Sequence, residues 1–237
     1  MSYAAVPPDD GQYDTPLASL SITHVSYDPT DPLSLVAAYL SLVPQGLMVV
    51  YAVLIFSHRE LEIVLACVGQ LGNEAVNYVL KRLIKEARPT NLKGKGYGMP
   101  SSHTQFMFFF ATYISLWIAV RNNAIPIAVK PLLLAALPVL ATGIAAARVY
   151  LHYHTARQVM VGAAAGVVIG LGWFVATALM KNFAGGVVWD LLLENPISKA
   201  LYVKDECVEV DLQRRDWEAW WTARVQRKQE MDKKKYR

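Results

Sequence analysis

Five long apolar stretches constrain this chain more than any other feature. They run over Ser34–Phe56, Leu61–Leu80, Thr104–Val120, Pro131–Ala147 and Val159–Met180, and four of them hold no Asp, Glu, Lys or Arg. A hydrocarbon core about 30 Å thick is crossed by about 17–25 helical residues. All five stretches are long enough, the third and fourth only just. They are continuous rather than alternating, which fits helices, and an open sheet leaves backbone groups unsatisfied in lipid. The expected fold class is all-α: a polytopic membrane helix bundle with five to six transmembrane helices. Of the 237 residues, 18% are charged, below the roughly 25% of a soluble domain. That composition excludes a disordered chain and a fibre. Two cysteines, Cys67 in an apolar block and Cys207 in a charged tail, cannot build a disulfide framework or a zinc site.

Charge distribution orients the bundle. Met1–Pro32 contains no Lys or Arg, whereas the chain from Lys181 onward holds twelve of the 23 basic residues. The connections at His58-Arg59 and Arg121–Lys130 alternate to the same side as that tail. The excess of cations places these three on the cytosolic face. Residues 1–33 then form a non-cytosolic N-terminal segment, 34–180 the transmembrane bundle, and 181–237 an interfacial segment and cytosolic basic tail. Phe183–Tyr202 carries Trp189 and three leucines but also Asp190, Glu194 and Pro196. It lies at the interface or forms a sixth span. The last two dozen residues interleave basic residues with Trp217, Trp220 and Trp221, as a solvated helix or one attached to a membrane surface. Lys234 and Lys235 resemble a dilysine retrieval signal, which implies retrieval machinery as a partner at the tail.

The loops 81–103 and 148–158 fall on the opposite, non-cytosolic face yet are also basic. Their cations therefore have a task. Lys81 is followed after six residues by Arg88-Pro89; Pro100-Ser101-Ser102-His103 opens the third span; Arg148 is followed after five residues by His154 at the start of the fifth. Together they offer three fixed cations, a hydroxyl, helix N-terminal amides and two imidazoles. That inventory suits a phosphoryl group. Lys and Arg neutralise its oxygens, amides at a helix start favour an anion, and one imidazole can attack phosphorus while the other protonates the leaving oxygen. Pro89 and Pro100 stop the helix and shape the loop between them. Lys93-Gly94-Lys95-Gly96-Tyr97-Gly98 is either a second phosphate contact or an ordinary glycine-rich turn. Asn73, Asn77, Lys81 and Lys85 recur every four residues along one helix face. The asparagines and Glu74 serve either the chemistry or interhelical hydrogen bonding.

These motifs resemble the type 2 phosphatidic acid phosphatase superfamily, whose pattern reads K-x6-RP, PSGH and SR-x5-H-x3-D. Ser102 stands in place of Gly, Ala147 in place of Ser, and Gln158 in place of Asp. The resemblance implies that His154 is the nucleophile, forming a phosphohistidine, and that His103 is the general acid. It implies that Lys81, Arg88, Ser101, Ser102 and Arg148 bind phosphate, and that no cofactor or metal is needed. Gln158, one helical turn beyond His154, can accept a proton from the imidazole. It cannot supply the charge that a buried Asp gives, which leaves a slower reaction, a helping carboxylate or a good leaving group.

Tyr97–Met107, with Arg148-Val149-Tyr150-Leu151 and His154-Thr155, is similar to the dolichyl pyrophosphate phosphatase branch, as is Ile22-Thr23-His24-Val25 with Tyr27. That branch implies an enzyme of the endoplasmic reticulum membrane with a lumenal active site, hydrolysing dolichyl diphosphate from the bilayer to dolichyl phosphate for N-glycosylation. The leaving group is then a phosphate monoester, which asks less of Gln158. Phe106, Phe108, Phe109 and Phe110 either line a lateral opening or simply face lipid. A lipid phosphate monoester phosphatase, and a non-catalytic lipid-binding membrane protein, remain the alternative readings.

Overall fold

The computed structural model describes residues 18–20, 25–89 and 96–235. Its core is the expected bundle. The helices are α1 (Pro32–Leu40), α2 (Val43–His58), α3 (Leu61–Ile84), α4 (Ser102–Leu116), α5 (Lys130–Tyr150) and α6 (Ala156–Asn182). Five segments among the described residues are long and apolar enough to cross a membrane. The first is not one rod: α1 and α2 are separated at Ser41-Leu42, and Pro44 occupies the first turn of α2. A proline there lacks the amide hydrogen that would continue the α1 ladder.

α4 lies at the centre. Its partner α6 presents Gly162, Gly166 and Gly170 on one face, and a Cβ at Gly166 would lie 2.4 Å from the backbone oxygen of Gln105. Small residues let two helices approach where lipid gives no hydrophobic drive between them. α3 is tied to α4 by amides instead. Asn77 Nδ2 donates to Gln105 Oε1 at 2.8 Å, and Gln105 Nε2 donates to Asn73 Oδ1 at 2.9 Å. The two asparagines thus serve helix pairing. Lys85 leaves their face: it ends α3 in the left-handed region (φ 54°) and is exposed. α3 therefore stops at Ile84, five residues ahead of Pro89, by its own turn.

Two features extend the helical expectation. Strands β1 (Ala18–Leu20) and β2 (Val25–Tyr27) pair antiparallel, and Val25 packs with Ala37, Ala147, Leu151 and Tyr153. Beyond α6, α7 (Val187–Glu194) and α8 (Pro196–Ala200) have eight and five residues. Neither can cross a bilayer at 1.5 Å per residue, so Phe183–Tyr202 is not a sixth span. Trp189 packs on Leu61 and Leu65. The segment after α8 is clamped to the same end as the α2–α3 and α4–α5 turns. Glu60 accepts from the amides of Glu206 and Cys207, while Arg121 and Lys181 pair with buried Glu62. The three basic elements placed on one face by their charge thus meet at one end. α9 (Leu212–Lys235) follows, with Trp217, Trp220 and Trp221 exposed. The side chains of Lys234 and Lys235 and the Lys93–Lys95 stretch lie outside the described residues, as does His24.

Candidate active site

The opposite end gathers the three motifs. Arg148 sits in the last turn of α5, and Leu151–Thr155 turns the chain directly into α6. The amides of Tyr153 and His154 both donate to the Arg148 carbonyl, at 3.1 and 3.2 Å. The five-residue spacing is what brings this cation and this imidazole together. Ser101 caps α4, and among the described residues no side chain caps the helix amides, so the first N–H groups there can face an anion. The Ser101 amide donates to the Gln158 carbonyl at 3.2 Å, which fixes α4 against α6. Lys81, from the last turn of α3, and Arg88, from the segment after it, complete the cluster. His103 lies in the electrostatic field of Arg148, His154 and Lys81, and Arg148 in that of Arg88. All of the sequence-derived site residues thus converge: His154, His103 and Gln158 with Lys81, Arg88, Ser101, Ser102 and Arg148.

Arg148 is held on two sides. Its guanidinium lies 3.9 Å over the Tyr153 ring and donates to Ser41 Oγ at 3.1 Å, while its Nε is buried without a partner among the described residues. A buried donor left open costs stability unless something fills it. Tyr153 is fixed in turn, its hydroxyl accepting from the Ser26 amide at 2.8 Å. His103 bonds to the backbone of the same Ser41. Ser41 escaped the sequence reading because it sits inside an apolar span; the Pro44 that breaks this span was its signal. Gly98 was also missed. A Cβ there would lie 2.8 Å from Gln158 Nε2, so a larger residue would displace that amide.

Gln158 is placed by a capping box at the start of α6. Its amide hydrogen donates to Thr155 Oγ1 at 3.2 Å and its Oε1 accepts from the Thr155 amide at 3.3 Å. The same Oε1 lies 3.2 Å from His154 Nδ1, and Nε2 donates to the Ala87 carbonyl at 2.7 Å. With acceptors at the nitrogen end of the amide, the oxygen end faces the ring. Nδ1 then carries the hydrogen, and the Nε2 lone pair of His154 is free.

His154 is 2% exposed. Burial first, then the Arg148 and Arg88 cations, push it down from 6.5 to about 3, against the pull of the Gln158 hydrogen bond. Its ring is therefore neutral at ordinary pH. Below about 6.5 the unfolded chain takes up the proton and the folded chain does not, so stability falls as pH drops from there toward about 3. At pH 5 the penalty is about 2 kcal/mol. The melting temperature of wild type should fall further between pH 7 and pH 5 than that of His154→Gln. An equal fall in the two proteins contradicts a buried neutral ring.

A cavity of about 230 Å³ opens beside His103, lined by Pro44, Gln45, Met48, Leu71, Glu74, Ser102 and Phe106. It lies between α2, α3 and α4, with both apolar and polar side chains in its lining. Phe106 lines it, and Phe110 lines a second, apolar cavity of about 230 Å³ further along α2 and α4. Phe109 is fully buried and Phe108 partly so; two of the four phenylalanines therefore border the openings. Among the described residues, no group of three His, Cys, Asp or Glu side chains could hold a metal ion.

Residues 62–182 match the family model of the PAP2 superfamily. A Saccharomyces cerevisiae dolichyldiphosphatase is 35% identical, over 90% of this chain and 91% of its own length. Dolichyldiphosphatase 1 of Dictyostelium discoideum is 35% identical, over 84% and 87%. The fold is also that of a transmembrane PAP2-type phosphatidylglycerolphosphate phosphatase from Bacillus subtilis, at a TM-score of 0.54 and 20% identity, over 65% of this chain and 81% of that one.

Proposed function

Because this chain belongs to the PAP2 superfamily, we propose that it hydrolyses dolichyl diphosphate to dolichyl phosphate and phosphate through a phosphohistidine. The observation that carries this reading is the meeting of two imidazoles with three cations at one end of the bundle, beside a cavity lined by both apolar and polar side chains. The relatives named above supply the substrate class.

In the first step, the Nε2 lone pair of His154 attacks the terminal phosphorus. The bond from that phosphorus to the bridging oxygen breaks, and the bridging oxygen leaves on dolichyl phosphate with a proton from His103. Lys81, Arg88 and Arg148 balance the charge on the transferring group, with the α4 amides behind Ser101 and Ser102. In the second step, a water attacks the phosphohistidine, His103 takes its proton, and phosphate departs. The cavity beside His103 receives the first isoprene units.

The candidate active end lies at the other end of the bundle from the attachment of the basic tail, and the charge rule supports a lumenal position for it in the endoplasmic reticulum. There it returns dolichyl phosphate to N-glycosylation, and Lys234 and Lys235 on the cytosolic tail engage retrieval machinery. A glycosylation acceptor inserted after Pro89 should be modified and one in the tail should not; the reverse pattern rejects this orientation.

The functional test is phosphate release by the purified protein from dolichyl diphosphate and from phosphatidate, side by side, with and without chelator. We expect dolichyl diphosphate to be preferred and the chelator to change nothing, since fixed cations neutralise the phosphate. Preference for phosphatidate makes the chain a monoester phosphatase, binding without release makes it non-catalytic, and dependence on added magnesium rejects the metal-free mechanism.

A further inference from the structure

Gln158 occupies the position where this superfamily's motif carries an acid, yet a carboxylate stands directly behind it. Gln158 Nε2 donates to Glu86 Oε1 at 3.0 Å, while Gln158 Oε1 faces His154 Nδ1 at 3.2 Å. We propose that Glu86 is a positioning residue for His154, acting through the Gln158 amide. This rests on the reading of His154 as the nucleophile and extends it by one residue.

The chain builds this relay deliberately. α3 ends at Ile84, Lys85 takes a left-handed turn, and Glu86 is thereby brought back over the start of α6. The Glu86 carbonyl accepts from the Gly98 amide at 2.7 Å. Gly98 itself presses on the Gln158 amide, so the loop and the helix start are locked together. Every valence of that amide is used: two acceptors at nitrogen, Glu86 and Ala87, and two donors at oxygen, Thr155 and His154. Rotating the amide by half a turn would aim its oxygen at a carboxylate and its nitrogen at two N–H groups. Glu86 therefore fixes which end faces the ring, and with it the tautomer that leaves Nε2 free.

The second contribution is charge. As His154 bonds to phosphorus its ring becomes cationic. An amide polarised by a carboxylate presents a more negative oxygen than a free one, so the positive ring gains at one remove part of what an adjacent Asp would give directly. Glu86 also lies two residues before Arg88, so one short segment carries a phosphate-binding cation and the support of the nucleophile.

A merely structural tie between the α3–α4 loop and α6 would weaken folding, and its loss would add to the loss at Gln158. The relay predicts otherwise. In steady-state release of phosphate from dolichyl diphosphate by the full chain in detergent, Glu86→Gln keeps an acceptor oxygen without charge. It should lower kcat about threefold to tenfold with KM within about twofold, and leave the melting temperature in place. Glu86→Ala should lower kcat about tenfold to thirtyfold. In a Gln158→Ala background, Glu86→Ala should cost no more than about twofold further, because the path to His154 is already cut.

Multiplicative losses in the double variant, an effect on KM alone, or full kcat in Glu86→Ala each overturn the proposal. His154→Ala is assayed alongside. If it keeps turnover, the nucleophile reading itself falls; if it is inactive while the double variant is multiplicative, only the role of Glu86 falls.

Discussion

His154→Ala should stop phosphate release, with a loss of about 10⁴-fold or more in kcat. The size follows from what the ring does. Without it no covalent intermediate forms, and the remaining cations can only bind the diphosphate. The same substitution should leave substrate binding near its wild-type value, because Lys81, Arg88 and Arg148 are untouched. Gln158→Ala should be milder, about tenfold to a hundredfold, since the ring stays and only its orientation and support are lost. Trapping labelled phosphate on the protein after a short pulse separates the two cases: wild type and Gln158→Ala should carry label, His154→Ala none. If His154→Ala retains a tenth of wild-type turnover, or the two variants are equally dead, the roles given to these residues are wrong.

Arg148→Lys comes second in size. We expect about 10²- to 10³-fold off kcat/KM, and little rescue relative to Arg148→Ala. A lysine keeps the charge but not the planar fork that stacks on Tyr153, reaches Ser41 and leaves Nε open. The effect on stability should be small and opposite in origin. Losing the stack on Tyr153 costs about 0.5–2 kcal/mol. Against this, two like charges about 8 Å apart repel by about 2 kcal/mol at an effective dielectric constant of about 20, and Arg148 lies in the field of both Lys81 and Arg88. Removing the charge relieves that repulsion, so Arg148→Met should be inactive yet melt within a few degrees of wild type. A melting temperature that collapses along with activity makes Arg148 a structural residue. A lysine variant with near-full activity removes the need for two-pronged recognition.

The balance of these two effects describes the site as a whole. Three cations are crowded at one end of a membrane bundle, Lys81 lying in the field of both Arg88 and Arg148. A fold selected only for stability would separate them. Their clustering is compensated when an anion arrives, which is why the strongest predicted losses of activity come without a matching loss of stability.

How much of this was legible beforehand differs from residue to residue. Lys81, Arg88, Ser101, His103, Arg148 and His154 could be read because each motif holds its members within a few residues of one another, on a helix end or a short turn. The face shared by Asn73 and Asn77 was equally visible, but not its use. Deciding between chemistry and helix pairing required their partner Gln105, which lies on the next helix, 28 and 32 residues away. Lys85 was misplaced because a left-handed turn at a helix end is set by the loop it joins, which periodicity does not record.

The apolar lengths and the motif spacings alone determined a membrane bundle of helices and a set of cations and imidazoles at one end of it, because a lipid crossing and a helix turn are properties of contiguous residues. Only the tertiary structure decided that the first span breaks at Ser41, that Arg148 reaches it from 107 residues away, and that Glu86 meets Gln158 across 72. Those contacts depend on how helices cross and where loops fold back, which is fixed by the packing of the whole bundle. The charge missing beside His154 could be noticed in the sequence; the carboxylate bonded to Gln158 could be found only in space.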